Sequence, residues 1–282
     1  MISQKTIINA VRDLCIKANL ELRPDVVKAL GSALKKENTP GAKRLLSILL
    51  ENCSIAKNDR IPICQDTGMA VVFVELGQNA KIQGSLSSAI NKGVAAGYKN
   101  GFLRKSIVSD PLLRKNTGTN TPAVIYYDLL PGRSIKLTVL PKGFGSENKS
   151  KLYMLNPTAG YKEIVNSVLQ AVKEAGPDAC PPYVVGVGIG GDAAKACYLA
   201  KKALTKPVGF NAEKPHFRIM AKEILLKGNK FKIGPLGAGG KPTLLGVNIL
   251  SMATHIAGLP VAVNISCHAL RSATAVIPST RG

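Results

Sequence analysis

The chain has 282 residues and a formal net charge of +21, because 38 Lys and Arg outnumber 17 Asp and Glu. This length can bury a sizeable core and indicates one large domain rather than a string of modules. No apolar run approaches the roughly 18 residues that span a bilayer, and the N-terminus resembles an amphipathic helix rather than an export signal. We therefore expect a globular cytoplasmic protein with reduced thiols and no membrane segment.

The positive charge first suggests nucleic acid as a partner. The basic residues, however, are spread from Lys5 to Arg281 without a dense run, and the chain has no Trp that would stack on bases. Scattered lysines are typical of a solvated face, and their field also steers a small anionic substrate or an acidic partner chain. We expect no nucleic-acid binding.

Three helices are predicted at the start of the chain. The first carries Ile7, Val11 and Leu14 at helical spacing, and Pro24 and Pro40 begin the second and third. Beyond this helical layer of about 57 residues, strand and helix patterns alternate. The sequence therefore predicts a single mixed α/β (α+β) domain over 1–282, with an α/β body from about residue 58.

Several elements of that body are predicted by pattern. Met69–Val74 is predicted to be a buried strand because it is rich in β-branched and aromatic residues. The runs 123–130 and 134–140 flank Pro131-Gly132-Arg133 and favour a β-hairpin. The remaining predictions are helices over 86–98 and 160–175 and strands over 243–252 and 260–265.

The loop before the first strand concentrates reactive side chains. Cys64, Gln65, Asp66 and Gly68 fall within five residues, between the helix breaker Pro62 and the strand. A cysteine two residues from an aspartate is a candidate site of soft metal ligation and proton transfer. The alternative is a buried structural cysteine beside a turn aspartate.

The six cysteines divide into two sets by context, and none forms a C-x-x-C pair of the zinc-ribbon kind. Three lie on apolar helical stripes and are predicted to be core residues: Cys15, Cys53 and Cys197. The other three stand at loop or strand edges: Cys64, Cys180 and Cys267. Three thiolates are one short of saturating a [4Fe–4S] cluster, which would leave one iron open to substrate. Unrelated cysteines are the competing interpretation.

Two glycine-rich stretches could bind a phosphate or another anion. Gly186, Gly188 and Gly191 satisfy the dinucleotide pattern G-x-G-x-x-G. The following segment, 206–211, is too short and broken to be the second strand of such a fold, so an NAD-dependent oxidoreductase is only an alternative. The stretch Lys142–Asn148 at a strand end either presents donors to an anion or is a simple turn.

The motifs taken together resemble the larger chain of the two-chain members of the iron-sulfur-dependent class I fumarase and L-tartrate dehydratase family. The resemblance runs over essentially the full length. Its motifs are Ile63–Gly68, Leu103–Ser106, Lys142–Asn148, Cys180–Pro182 followed by Gly186–Gly191, and His255 twelve residues before Cys267. In the order and combination found here these motifs are specific.

The resemblance implies reversible addition of water to a dicarboxylate such as fumarate, with L-tartrate dehydration as the alternative. The implied ligands of a [4Fe–4S] cluster with one open iron are Cys64, Cys180 and Cys267. The implied catalytic residues are Asp66, as a proton-transferring group, and His255, which on its own would be a satisfied core residue. The implied substrate-binding residues are Gln65, Arg104, Lys142, Gly143 and Gly145. Phe144 departs from the family, which often has glycine there, and puts close backbone approach at that position in doubt.

The resemblance also implies partners. The residues carried over do not complete a site for both carboxylates and both proton transfers, and the chain ends at Gly282 soon after the third cysteine motif, as the larger chain does. We therefore expect a smaller beta-type subunit to complete the site, with a homodimer of this chain inside a heterotetramer.

Overall fold

A computed structural model describes residues 1–279, so the terminal residues 280–282 lie outside the part described. The first elements are α1 (Gln4–Leu20), α2 (Pro24–Lys36), α3 (Pro40–Asn58), β1 (Met69–Gly77) and α4 (Leu86–Asn100). The middle elements are β2 (Val124–Leu130), β3 (Ile135–Lys142), α5 (Phe144–Glu147), β4 (Lys151–Leu155), α6 (Tyr161–Ala175) and β5 (Tyr183–Gly191). The last are α7 (Ala193–Ala203), α8 (Pro215–Asn229), β6 (Leu244–Thr254), β7 (Leu259–Ser266) and β8 (Ala273–Ile277). The mixed α/β fold and the three N-terminal helices are confirmed.

The chain divides into two compact units, each made of separate stretches. Within the described residues, the first unit contains 1–23, 55–144 and 271–279, and the second contains 24–54 and 145–270. The N-terminal helices are thereby divided, since α1 belongs to the first unit while α2 and most of α3 belong to the second. The single domain expected over 1–282 stays a prediction.

The first unit is a four-stranded sheet in the order β2-β1-β3-β8, with α1 and α4 packed on it. The two helices approach closely because α4 carries glycines where they meet. A Cβ on Gly93 would lie 2.7 Å from the Cβ of Val11, and one on Gly97 would lie 2.7 Å from the Cβ of Cys15. These glycines, which lower helix propensity, therefore serve helix–helix packing.

The predicted hairpin is wrong, although both of its strands exist. β2 pairs in parallel with β1, and β3 pairs antiparallel with the other edge of β1, so β1 lies between them. The four-residue connection crosses the end of β1, where Gly77 N–H donates to the Ser134 carbonyl and Gln78 N–H to that of Leu130. β1 takes the central place because most of its residues are buried, whereas β2 is half-buried or exposed throughout.

The second unit is a four-stranded sheet in the order β4-β7-β5-β6. Alternate residues of a strand point to opposite faces, so Val185 and Val187 face the core formed with α6 and α8, while Gly186 and Gly188 face α7. The central strand again has one parallel and one antiparallel neighbour, β6 and β7, joined across its end. The two units thus repeat one arrangement of three strands.

A buried carboxylate ties distant parts of the second unit together. The Glu37 side chain is fully buried, and its Oε1 accepts the N–H groups of Asn38 and Thr39 at 2.8 and 2.9 Å. Its Oε2 accepts the N–H of Lys241 at 2.6 Å. Burial on its own raises the pKa of Glu37, but these backbone donors outweigh it and hold the pKa below its ordinary value.

We expect Glu37→Gln to lower the free energy of unfolding by about 2 kcal/mol, since the amide accepts at only one atom and leaves a buried N–H unpaired. The lowered pKa means that Glu37 stabilises the fold above its ordinary pKa of 4.5 and that this contribution is lost as pH falls through the folded-state pKa. Urea titrations should therefore show a wild-type advantage at neutral pH that shrinks in acid. Glu174→Gln, at an exposed ion pair with Lys151, is the control and should change stability by less than about 0.5 kcal/mol. An advantage independent of pH would contradict this account of Glu37.

Candidate functional site

The loop that precedes β1 is held by side chains that donate to three consecutive backbone carbonyls of Asp66–Gly68. Arg271 donates through Nη2 to the first carbonyl. The Tyr98 hydroxyl lies 2.8 Å from both the second and the third, and Asn120 Nδ2 donates to the third at 3.2 Å. All three donor side chains are buried. The sequence interpretation assigned them no role, because each contacts a backbone carbonyl that is distant in sequence and that only the fold brings near.

This support fixes the carboxylate of Asp66. Its Oδ1 accepts the N–H of Gly68 and its Oδ2 accepts the N–H of Phe144, both at 2.9 Å. The side chain is half-buried, and a Cβ on Gly143 would lie 3.2 Å from Oδ2. Each carboxylate oxygen keeps further acceptor capacity, so Asp66 is both positioned and available to a substrate or water.

Phe144 fits this arrangement without glycine. It begins α5, and its N–H is the donor to Asp66 while its side chain is 45% exposed. This contact needs only the backbone N–H of Phe144 and does not depend on which side chain stands there.

The other predicted residues of the first unit lie at the same edge of its sheet. Thr67 Oγ1 donates to the Arg104 carbonyl at 2.8 Å, which brings the exposed Arg104 beside the loop. Lys142 pairs with Met69 across β3 and β1, and its buried side chain donates through Nζ to the Gly143 carbonyl at 3.2 Å. Cys64 and Gln65 are exposed. Antiparallel pairing explains the grouping, because the start of β1 and the end of β3 share one edge.

The second unit brings Cys180 and Cys267 together in the same way. Cys180 precedes β5 and Cys267 follows β7, and these strands pair antiparallel with Val184 opposite Ser266. The backbone N–H of His268 and its ring Nδ1 lie 3.2 and 3.1 Å from the Cys180 carbonyl. Two of the three cysteines expected to bind iron are therefore neighbours, Cys180 exposed and Cys267 half-buried.

Tyr183 lies beside this pair of thiols. Its side chain is fully buried, and its hydroxyl donates to the Gly176 carbonyl. Burial raises the pKa of Tyr183 well above its ordinary value, and the nearby Cys180 and Cys267 raise it further. Tyr183 therefore stays neutral and anchors the start of β5. Gly145 is close by, since a Cβ there would lie 3.7 Å from the Asp178 carbonyl.

The structure does not bring His255 to the two cysteines. His255 is exposed in the connection between β6 and β7, next to the end of β5 that lies opposite the Cys180 end. β5 has nine residues, so its ends are about 26 Å apart. Within the second unit, His255 and the cysteine pair therefore occupy opposite edges of the sheet.

The glycine-rich strand 183–191 serves packing rather than phosphate binding. A Cβ on Gly186 would lie 2.1 Å from the Ala200 carbonyl oxygen, and one on Gly188 would lie 2.1 Å from that of Ala196. The N-cap of α7 is Asp192, whose carboxylate accepts the Lys195 N–H at 2.7 Å. An acidic side chain thus occupies the position where a pyrophosphate would need positive potential, which argues against the dinucleotide alternative.

The core assignment of the remaining cysteines is confirmed for two and wrong for one. Cys15 and Cys53 are buried, and burial raises their thiol pKa to about 12 and about 11. Cys197 is exposed. The face of α7 that meets the sheet is set by Ala196 and Ala200 against the strand glycines, so Cys197 falls just outside it.

The residues fit an iron-sulfur group in chemical type. Two thiols share one sheet edge of the second unit, and Cys64 occupies the corresponding edge in the first. Arg271, which donates to the Asp66 carbonyl, also has a buried Nε without a hydrogen-bond partner within residues 1–279. Within that same range, no three His, Cys, Asp or Glu side chains already converge as a metal site.

Tyr98→Phe should lower the free energy of unfolding by about 1–2 kcal/mol, since two buried carbonyls lose their shared donor. Thermal and urea unfolding measure this. Tyr127→Phe is the matched control, because the Tyr127 hydroxyl meets Ser87 on the surface and its loss should cost less than about 0.5 kcal/mol. Equal effects of the two variants would show that Tyr98 does not support the loop.

Comparison with known proteins gives a consistent set of relatives. Residues 8–276 match the family described as fumarate hydratase (Fumerase). The chain is 39% identical over 274 residues to the protein named "Putative L(+)-tartrate dehydratase subunit alpha" of Methanocaldococcus jannaschii, covering 95% of this chain and 96% of that one. It is 30% identical over 257 residues to the L(+)-tartrate dehydratase subunit alpha of Escherichia coli O157:H7, covering 90% of this chain and 84% of the relative.

Proposed function

The chain belongs to the fumarate hydratase (Fumerase) family, and on that premise we propose that it is the cluster-binding subunit of a hydro-lyase acting on a four-carbon dicarboxylate. The observation that carries the proposal is the positioned Asp66 carboxylate, with Arg104 and Lys142 at the same sheet edge. A proton-transferring group beside two cationic side chains is what hydration of a dianion requires.

In this proposal Cys64, Cys180 and Cys267 hold a [4Fe–4S] cluster. When bound, the cluster would supply a Lewis acid at its open iron that polarises the hydroxyl group being added or lost. The protein's own residues perform the remaining tasks. Asp66 exchanges a proton with the substrate or water, and its hydrogen bonds from Gly68 and Phe144 keep it from rotating away.

Substrate binding is proposed for the residues around Asp66. Arg104 is exposed and its guanidinium suits a bidentate grip on one carboxylate, with Gln65 beside it. The backbone at Gly143 and Gly145 lets the second carboxylate approach closely. Lys142 is buried and contributes its positive charge from beneath this loop.

Two substrates are candidates. We favour fumarate, hydrated to L-malate, as the family description names it. L-tartrate is the second candidate, because two relatives are named as tartrate dehydratase alpha subunits. The two substrates differ by one hydroxyl group.

The proposed enzyme has more than one chain. The relatives' names specify an alpha subunit, and we propose a smaller beta-type subunit that completes the site of this chain. We further propose a homodimer of this chain within a heterotetramer. We also propose that His255, which lies at the opposite edge of its sheet from Cys180 and Cys267, acts in the active site of the second copy.

The proposed setting is the cytoplasm, where thiol ligands stay reduced. Among residues 1–279, no helix is long and apolar enough to cross a membrane.

Steady-state turnover of fumarate, L-malate and L-tartrate, measured anaerobically with the smaller subunit added, tests the function. We expect turnover of at least one of these substrates by the assembled enzyme and negligible turnover by this chain alone. Full activity of the isolated chain would refute the split site. Tight NAD binding without iron would favour an oxidoreductase, and salt-sensitive retention on DNA without iron would favour a nucleic-acid-binding protein.

A further inference from the structure

The segment 102–121, which we name the 102–121 loop, exposes large apolar side chains. Leu112 and Leu113 are 90% and 83% exposed, and Phe102 at the start of the loop is 90% exposed. Two adjacent leucines in water at a loop tip are unfavourable for a chain on its own, since each forgoes the stabilisation of burial.

The leucines are held in place by hydrogen bonds. Asp110 Oδ1 accepts the N–H groups of Leu112 and Leu113 at 2.8 and 2.7 Å. These bonds also hold the pKa of Asp110 below its ordinary value, so its carboxylate is charged at neutral pH. Asn116 braces the base of the tip by donating to the Lys105 carbonyl at 2.9 Å. The apolar tip is therefore preorganised, which lowers the entropy cost of burying it against another surface.

The same loop is rooted in the candidate site. Asn120 Oδ1 accepts the N–H of Ser106 at 2.7 Å, and its Nδ2 donates to the Gly68 carbonyl. Arg104, in the loop, accepts from Thr67 through its carbonyl. A surface that docks on Leu112 and Leu113 would thus be mechanically connected to the backbone that carries Asp66.

The charges around the tip of the loop indicate what kind of protein surface would bind it. Four basic residues flank the tip against the single acidic Asp110: Arg104, Lys105, Arg114 and Lys115. An apolar centre with a basic rim is complementary to a protein surface that has an apolar pocket and an acidic rim.

We propose that Leu112 and Leu113 are the anchor residues on which the smaller subunit docks. This inference rests on the proposed two-chain enzyme and deepens it by naming the surface. The occupant is the smaller subunit rather than a second copy of this chain, because the loop is tied to the Asp66 site that the smaller subunit completes, and because its basic rim would repel the same rim of an identical chain.

The test is the double variant Leu112→Ser, Leu113→Ser, with Leu226→Ser as the matched control. Leu226 is 69% exposed on α8 and does not belong to the loop. The probe is the smaller subunit from the same organism, purified separately and titrated by calorimetry into this chain. We expect the Kd of the double variant to rise at least about thirtyfold and that of the control to change less than twofold.

Activity titrations separate docking from chemistry. The double variant should reach the wild-type maximal turnover at a higher concentration of smaller subunit, because Leu112 and Leu113 take no part in catalysis. An unchanged Kd would overturn the proposal, as would loss of self-association by the double variant in sedimentation with smaller-subunit binding intact. If the double variant fails to fold, Leu112→Glu gives the same comparison. A wild-type pair that binds tightly but turns over no dicarboxylate would instead refute the proposed function and leave the docking surface standing.

Discussion

Replacing Cys180 or Cys267 by serine is expected to remove bound iron and abolish turnover. The two thiols lie at one sheet edge, with Cys180 bonded through its carbonyl to the residue after Cys267. An iron-sulfur cluster takes thiolate ligands, and a serine hydroxyl, which stays protonated at neutral pH, is a much weaker ligand for iron. Loss of one of three thiolates should therefore release the cluster. Iron and acid-labile sulfide per chain, measured after anaerobic reconstitution, provide a readout that does not depend on activity.

Cys197→Ala is the control for both serine variants. Cys197 is a thiol on an exposed helix surface, so its replacement should leave iron content, turnover and stability almost unchanged. Cys15→Ala is a second control, which should keep its iron but lose about 1–2 kcal/mol of unfolding free energy, since Cys15 is fully buried. If the Cys197 variant lost iron while Cys267→Ser retained it, the assignment of ligands would be wrong.

Asp66→Asn should lower the turnover number by about a hundredfold or more while iron content stays normal. Asparagine keeps the shape of the side chain but removes the titrating group, and general acid–base catalysis contributes on this scale. The measurement is kcat with the smaller subunit present at saturation, beside the iron content of the same sample.

A stability effect must be separated from this loss of rate. Asparagine offers one acceptor atom where Asp66 offers two, so one of the Gly68 and Phe144 N–H groups would face an amide donor. We expect unfolding free energy to fall by about 1–2 kcal/mol, which leaves the protein folded under assay conditions. Asp13→Asn, at an exposed pair with Arg12, is the control and should change neither quantity. Cluster loss in Asp66→Asn would mean that Asp66 is structural, and a near-normal kcat would mean that another group moves the proton.

Local pattern predicted the helices and strands better than their pairing. β1 and α4 were visible because hydrophobic period and breakers are properties of a short window. The neighbours of β1 were not, since two strands joined by a four-residue connection look like a hairpin whether or not a third strand lies between them. Strand pairing depends on residues far apart in sequence. The only local indication that β1 is the central strand is that its residues are more apolar than those of β2.

The residues of the candidate site were also predicted only where a local motif marks them. Cys64, Asp66 and Lys142 stand in motifs at strand edges and could be named from sequence. Tyr98 and Asn120 could not, because their contacts are to backbone carbonyls that only the fold brings near. Cys197 was misassigned by one position on its helix, since the buried face of α7 is determined by glycines in another element.

Each unit is made of stretches that are separated in sequence by the other unit, and this affects how the protein folds during its synthesis. The first unit's sheet receives its edge strand β8 from residues 273–277, and Ala273 and Ile277 belong to the core that α1 begins. A ribosome must therefore release the chain as far as residue 277 before this core closes, whereas α1 emerges first. During that interval its apolar stripe has only part of its packing partners, so nascent chains of this protein should be good clients for chaperones that shield hydrophobic segments. For the same reason, no single cut separates the chain into two fragments that each contain one complete unit.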